Sequence, residues 1–513
     1  MERKESSGIH IRDHEPIIIE KFNGLWQRGD ADDTPLDHFS ECNNVQYFGT
    51  REFGTRYGVG RHQDVLTPIA KIRRIYNYPT QTGNTLLILA LNAAGTAGEI
   101  YHVVNATTMF GPVLTITGME DFGFQPYAGR AYITPFGTSV VNGLNQEKGL
   151  LNEFLYVYKG DGTAARKAAG PTAAGTITIA NGIVGFTDAG LHVFGVVGET
   201  DTGYLSPPTA LNNFTTGALL SVSFSTVPTF TGAFWTKRHI VASKVIQNFN
   251  GDNTGYQLFF IPGATINDNV TTTLSNISFF DADLLLDASH LLSNFTEIPA
   301  GVGLCLYHNR LCLYGQNADP SIVRVSALGE PEAINQVNGL LIMPPDGNPM
   351  TNAAELRDVL YGFKRSKTAA WVDNGDVPSS WPYSPVDDAM GTGVHGIATH
   401  LDSGSTVSDF LIIATYKGMC LFNGRYAFPE LTWKIQDNWF NMDRNEWRKI
   451  QVLDDPIKQI IYFIKTDRTI MHADYRNGFD PKNIRWGPWS FDFFVNTIAI
   501  WEIDDFIIGA DQI

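Results

Sequence analysis

From Lys71 onward the chain is cut into short apolar runs, each closed by a turn residue, and this punctuation limits what it can fold into. KIRRIYNYP, NTLLILALN and EIYHVV follow one another with Gly, Pro, Asn or Thr between them, and GRAYITPFG and FLYVYKGDG continue the series. Runs of this length, rich in β-branched and aromatic residues, read as antiparallel strands. None is long enough to be stable alone, so they must gather into sheets. With 49 glycines and 25 prolines there are turn residues for many hairpins. Helical periodicity is scarce; the best window is NAAELRDVLY, Asn352 to Tyr361, barely three turns long.

After Ala164 the texture changes to AARKAAGPTAAGT, a small-residue stretch of linker character. Beyond it, VFGVVGETDTGYLSPPT, LLSVSFSTV, KRHIVASKV, YQLFFIPGA and TTTLSNISFFDAD supply about the strand count of one sandwich. SNFTEIPAGVG then leads back to hairpins: LCLYHNRLCLYG, RDVLYGFKRSKTAAWVDN, VSDFLIIATYKGMCLFNG and KQIIYFIKTDRTIMHADY, the last turning at Thr466-Asp467-Arg468. Hairpins recurring at roughly 40 to 50 residues suggest one propeller blade per unit. A meander in a sandwich or an irregular barrel would give the same pattern.

Thirty-seven basic against 53 acidic side chains give a formal charge of −16. This opposes tight binding to a polyanion and suits a surface past which DNA slides without sticking. The opening residues, MERKESSGIHIRDHEP, lack the apolar core of a secretory signal, and the run Leu86 to Leu91 is far too short to span a bilayer. No membrane insertion is expected, and the reading is a protein kept in a cytoplasm until assembly or release. Four cysteines do not make a disulfide framework. A two-residue turn at His308-Asn309 would set Cys305 opposite Cys312, and two reduced, buried thiols are the expectation.

Candidate chemistry is sparse. Arg28-Gly29-Asp30, followed by Asp32 and Asp33, spells an adhesion tripeptide and the start of a calcium loop, but the glycine and closing glutamate of such a loop are missing. A solvated turn ended by Pro35 fits better. His10 with His14, and His395 with His400, lack a completing ligand at usual spacing. Asp281 with Asp283, or Asp437 with Asp443, would serve a glycosidase only at a set separation, which sequence cannot give. No Gly-x-Ser-x-Gly elbow, phosphate loop or Cys-His constellation occurs, so an enzyme is not expected, and no cofactor or metal is assigned. Six of the ten tryptophans lie late: Trp433, Trp439, Trp447, Trp486, Trp489 and Trp501. Most of them alternate with apolar residues, as in RWGPWSFDFF, which favours packing over a glycan-stacking surface.

The segment KFNGLWQRGDADDTPLDHFSECNNVQYFGTREFGTRYGV resembles the N-terminal signature of tail proteins from double-stranded DNA bacteriophages, through Phe22, Gly24, Leu25, Pro35, Asn44, Val45, Arg56 and Gly58. IPAGVGLCLYHNRLCLYGQNADPSIVRVSALGEPEAI resembles a blade of the same family through Arg310, Leu311, Ser326, Gly329, Pro331 and Glu332. GVVGETDTGYLSPPT is similar to a fibronectin type III strand and turn, with KRHIVASKV at the position of a later strand. The resemblance implies an all-β fold: a β-propeller-like assembly of antiparallel sheets with an inserted fibronectin type III-like β-sandwich. The expected divisions are an N-terminal arm (1–20), a first part of the propeller (21–165), the insertion (170–297) and the remainder of the propeller (298–513). It further implies a structural virion protein, a nozzle or tail-tube/hub subunit forming a homo-oligomeric, hexameric ring around the DNA exit channel. Adaptor and fibre proteins of the tail would be its partners, with non-specific passage of double-stranded DNA. The rival expectation is a receptor- or glycan-binding tail module using the C-terminal tryptophans.

Overall fold

The computed structural model describes Leu25, residues 44–48 and 52–55, and residues 71–510 apart from 82, 106, 142–143, 401–408, 428–429, 448, 466 and 502–505. The N-terminal arm 1–20, the Arg28-Gly29-Asp30 stretch with Asp32 and Asp33, and His10 and His14 lie outside the described residues. The fold is all-β, built from many antiparallel sheets. Among the described residues α-helix is confined to two single turns, Gln436–Phe440 and Arg444–Trp447.

Most sheets are meanders of consecutive strands. The first holds Lys71–Thr80, Gly83–Leu91, Ala97–Asn105 and Thr108–Thr117 in that order. The second is built on Asp121–Tyr127, Arg130–Val141, Tyr156–Tyr158 and Arg166–Lys167, with Leu144–Gly149 folded back on Arg130–Val141. The third begins with Gly303–Tyr307, Arg310–Tyr314 and Ile322–Ala327. The fourth is Asn352–Leu356, Val359–Phe363, Thr368–Trp371 and Tyr383–Asp387. The fifth is Ile397–His400, Phe410–Ala414 and Met419–Phe422. The sixth is Gln451–Asp455, Ile460–Ile464, Thr469–Asp474 and Arg485–Ser490, and the hairpin Val495–Ile500 with Phe506–Ala510 is the seventh.

Between the second and third sheets, seven consecutive strands form two further sheets. One orders Thr178–Val184, Leu220–Ser225 and Leu274–Ile277; the other orders Asn212–Thr216, Gly190–Thr200, Trp235–Ala242 and Phe259–Ile266. Their inner faces meet through Phe194 and Phe224, whose rings lie 5.6 Å apart edge to face. Trp235, Val196, Val222 and Phe279 fill the same core.

Inner strands have both faces covered, which explains why they read as unbroken apolar runs rather than alternating ones. Thr85 to Ala90 are all buried, as are all five residues of Ile460–Ile464. Each such aliphatic side chain contributes about 1.5–3 kcal/mol relative to exposure. Neighbouring sheets share cores in sequence order. Leu87 and Ile100 of the first meet Phe122 and Tyr158 of the second; Cys312 and Val323 of the third meet Leu360 and Trp371 of the fourth. Tyr361 and Phe363 then meet Leu411 and Phe422 of the fifth, and Ile412 meets Phe463 and Trp486 of the sixth. Tyr462 and Trp489 meet Val495 and Ile498 of the seventh. Ala499 of that last hairpin packs on Ile75 and Leu86, in the first sheet again. Where the second and third sheets abut, a Cβ added to Gly123 would lie 2.6 Å from Gly303 Cα, so only glycine allows this approach.

The helical expectation at Asn352 to Tyr361 is overturned. These residues form the hairpin Asn352–Leu356 and Val359–Phe363, turning at Arg357 (φ 52°) and Asp358 (φ 60°). Two left-handed residues in a two-residue loop match the strand twist of a hairpin. Leu356, Leu360, Tyr361 and Phe363 are all buried between two neighbouring sheets, burial that overrides the helix preference of NAAEL. The His308-Asn309 turn has the same geometry, φ 44° and 60°, and sets Cys305 directly opposite Cys312. Both thiols are free and buried.

Candidate functional site

A cavity of about 480 Å³ lies where the first, second, fifth, sixth and seventh sheets converge. It is lined by Arg73, Arg74, Glu120, Asp121, Glu147, His395, Lys449 and Asn496 among others. The register of the first two strands slips between Ile72 and Arg74, a bulge that breaks the inward-outward alternation. Two consecutive arginines thereby face one cavity.

Arg74 is almost fully buried and grips Asp121 at both oxygens, Nε to Oδ1 at 3.0 Å and Nη2 to Oδ2 at 2.6 Å. Its Nη1 donates to Gln451 Oε1 at 3.1 Å. That same oxygen accepts from Thr497 Oγ1 at 2.9 Å, while Gln451 Nε2 donates to Ile498 O at 3.0 Å. His395 Nε2 lies 2.8 Å from Asp121 Oδ2, and Tyr76 OH donates to Phe122 O at 3.1 Å and lies 3.5 Å from His395 Nδ1.

Burial alone would raise the Asp121 carboxyl, but Arg74, with His395, outweighs it and holds the group well below the usual carboxylate range. Burial and the adjacent Arg74 cation keep the His395 imidazole below its ordinary value despite Asp121. At neutral pH the ring is therefore neutral, with Nε2–H donating to an ionised Asp121, and it is the Arg74 charge that neutralises the carboxylate. Both ring nitrogens face protein groups. The arrangement ties four sheets to the connection that enters the fifth.

His395 and His400 do not converge on one ligand. His400 Nδ1 lies 2.6 Å from Asp454 Oδ2, its ring stacks on Phe410 at 4.6 Å, and Tyr475 OH donates to Asp454 Oδ1 at 2.9 Å. Asp281 and Asp283 serve turns: Asp281 Oδ2 accepts from Val245 N at 2.9 Å and Asp283 Oδ2 from Phe280 N at 3.1 Å. Asp437 and Asp443 are exposed in and beside short helical turns. Among the late tryptophans, Trp439, Trp486 and Trp489 are buried, and Trp433, Trp447 and Trp501 are half-buried. Trp486 Nε1 donates to Leu431 O at 3.1 Å and Trp489 Nε1 to Val45 O at 2.9 Å, fixing both rings inward.

Among the described residues, His308, Glu355 and Asp358 form the group that could hold a cation, their ligand atoms all lying within 4.8 Å. They sit at the tips of two adjacent hairpins, and His308 Nε2 is 3.4 Å from Asp358 Oδ1. Sequence reading missed this trio because His308 lies 50 positions before Asp358 and meets the hairpin tip carrying Glu355 and Asp358 only after the third and fourth sheets stack. It also missed Arg73, Arg74, Asp121 and Gln451. The available signal was the doubled arginine inside KIRRIYNYP, a local conflict with strand alternation.

No family model matches the chain, and no curated protein matches it. Among solved structures, apo AztD from Citrobacter koseri is similar over 86% of this chain and 90% of its own, at 9% identity and a TM-score of 0.32. Hsv2 from Kluyveromyces lactis is similar over 82% of this chain and 98% of its own, at 10% identity and a TM-score of 0.27. Likeness at this level carries no argument about function. What the structure defines is a class, an all-β protein of many antiparallel sheets with a polar hub where several of them meet.

Proposed function

We propose that the chain is a structural virion protein of a bacteriophage tail, a nozzle or tail-tube/hub subunit that joins five further copies in a ring around the DNA exit channel. In this reading the meandering sheets are propeller blades and the two sheets between the second and third are a fibronectin-like insertion. The carrying observation is the order of shared cores, which passes from sheet to sheet and returns, through Ala499 on Ile75 and Leu86, to the first. Two features favour a mechanical role. The Arg74–Asp121–His395 group is saturated by its own partners, and a formal charge of −16 disfavours adhesion of DNA to the protein. Salt screens such repulsion within about 10 Å at 0.1 M, so a packed genome feels it only near the wall. A ring requires contacts that close by rotation, which distinct faces of one subunit can supply.

Electron imaging of the purified protein tests the proposal. Closed annuli with six-fold averages are expected; solitary particles at micromolar concentration, or glycan cleavage by the isolated chain, would overturn it.

A further inference from the structure

We infer that the cavity is a binding site for a small polyanion, a ligand carrying two or more carboxylate or phosphate groups. The charges lining it divide into committed and uncommitted ones. Arg74 is saturated by Asp121 and Gln451, and Glu147 is paired with Arg365 at 3.2 Å. Arg73 and Lys449 line the same space, and among the described residues neither side chain has a hydrogen-bond or ion-pair partner. Arg73 is half-buried and Lys449 is exposed, so both cationic heads are open to an incoming anion. Arg73 is the residue left out of register at the bulge between Ile72 and Arg74, and it lines the cavity. Bulges recur beside sites where a side chain must be re-aimed.

Size and composition fit a ligand. About 480 Å³ lies in the range of small-molecule sites. Thr96, Thr138 and Asn496 add polar groups to the wall. Glu120 also lines the space and is exposed, so its charge offsets part of that of the two open cations and disfavours large, highly charged anions. A planar guanidinium beside a mobile ammonium suits two oxyanion groups held a few ångströms apart, one taken by the fork of Arg73 and the other by Lys449. The inference is independent of ring formation, because every residue it uses belongs to one chain.

Calorimetric titration with citrate and, separately, with pyrophosphate at low ionic strength is the test, using the full chain. Saturable one-to-one binding of either probe is expected; tighter citrate assigns a carboxylate ligand and tighter pyrophosphate a phosphorylated one. Arg73→Ala and Lys449→Ala should each weaken the better probe at least about tenfold, as loss of a charge-assisted hydrogen bond requires. Arg73→Lys should restore part of the loss, and Lys482→Ala, on an exposed turn, should change nothing. Circular dichroism and the melting temperature, unchanged in all variants, separate lost binding from lost fold. No saturable heat with either probe, or wild-type affinity in the Arg73→Ala, Lys449→Ala double variant, would overturn the inference.

Discussion

Removing the side chain of Glu332 should be costly. Its side chain is fully buried and accepts four hydrogen bonds: from Arg166 Nη1 at 2.8 Å and Nη2 at 3.0 Å, from Thr202 Oγ1 at 2.5 Å, and from Ala169 N at 2.6 Å. Arg166 belongs to the second sheet and Glu332 to the third, while Thr202 follows the strand Gly190–Thr200, so one carboxylate joins three sheets. Arg166 also reaches Asp201 Oδ1 at 3.1 Å and lies over the Phe234 ring at 4.6 Å. Removing one partner of a buried ion pair costs about 3–5 kcal/mol, because the remaining charge is stranded. Asp201 stays beside Arg166, which places Glu332→Ala at the lower end, about 3 kcal/mol. At about 2–4 °C per kcal/mol for a unit of 150–250 residues, the melting temperature should fall by about 6 °C or more. Hydrogen exchange should quicken first in Gly190–Thr200, whose link to the third sheet is cut. The double variant Arg166→Met, Glu332→Leu strands no cation and should recover at least half of the loss. A melting temperature within 1 °C of wild type for Glu332→Ala, or a double variant as unstable as the sum of its singles, would refute the reasoning.

Other outcomes follow from single residues. His102 sits between Tyr158 OH at 2.8 Å and Thr85 Oγ1 at 2.9 Å, and burial holds its imidazole down at about 4. Below about 6.5 the unfolded chain gains a proton that the folded state refuses, so this group costs stability increasingly as pH falls toward 4. The wild-type melting temperature should therefore drop more steeply from pH 7 to pH 5 than that of His102→Gln; parallel slopes would count against the assignment. Changing the Arg357-Asp358 turn to Asn-Gly suits its positive φ values but removes the hydrogen bond from Arg357 Nη2 to Asp409 O at 2.7 Å, so the net change should stay within about 1 kcal/mol, read by urea denaturation with unchanged slope. Cys305, Cys312 and Cys420 are buried, and burial pushes the Cys420 thiol up to about 12. An aromatic disulfide reagent should label these three only after denaturation; labelling in the native protein would show that their strands open. Gly123→Ala should destabilise by more than about 1 kcal/mol through the clash with Gly303, measured the same way.

The sequence reading succeeded where physics is local. Strands such as Gly83–Leu91 and Ile460–Ile464 announce themselves because a strand covered on both faces is apolar throughout. The His308-Asn309 turn announces itself because few residues accept two positive φ angles in succession. It failed at Asn352–Tyr361, where a helix-favouring pentapeptide is drawn into a hairpin by neighbours that only the assembled sheets provide. The polar hub was illegible for a related reason. Arg74, Asp121, His395 and Gln451 come from four separate sheets or their connections, 47 to 377 positions apart along the chain. No spacing rule links them. The tryptophans show the opposite case: alternation with apolar neighbours already favoured packing, and Trp486 and Trp489 are buried.

The central claim is that this chain acts as one segment of an annulus rather than alone. Native mass spectrometry of the full chain at micromolar concentration addresses it most directly. Six copies in a single closed species, persisting on dilution, is the predicted mass; a lone subunit across the same range would contradict the account.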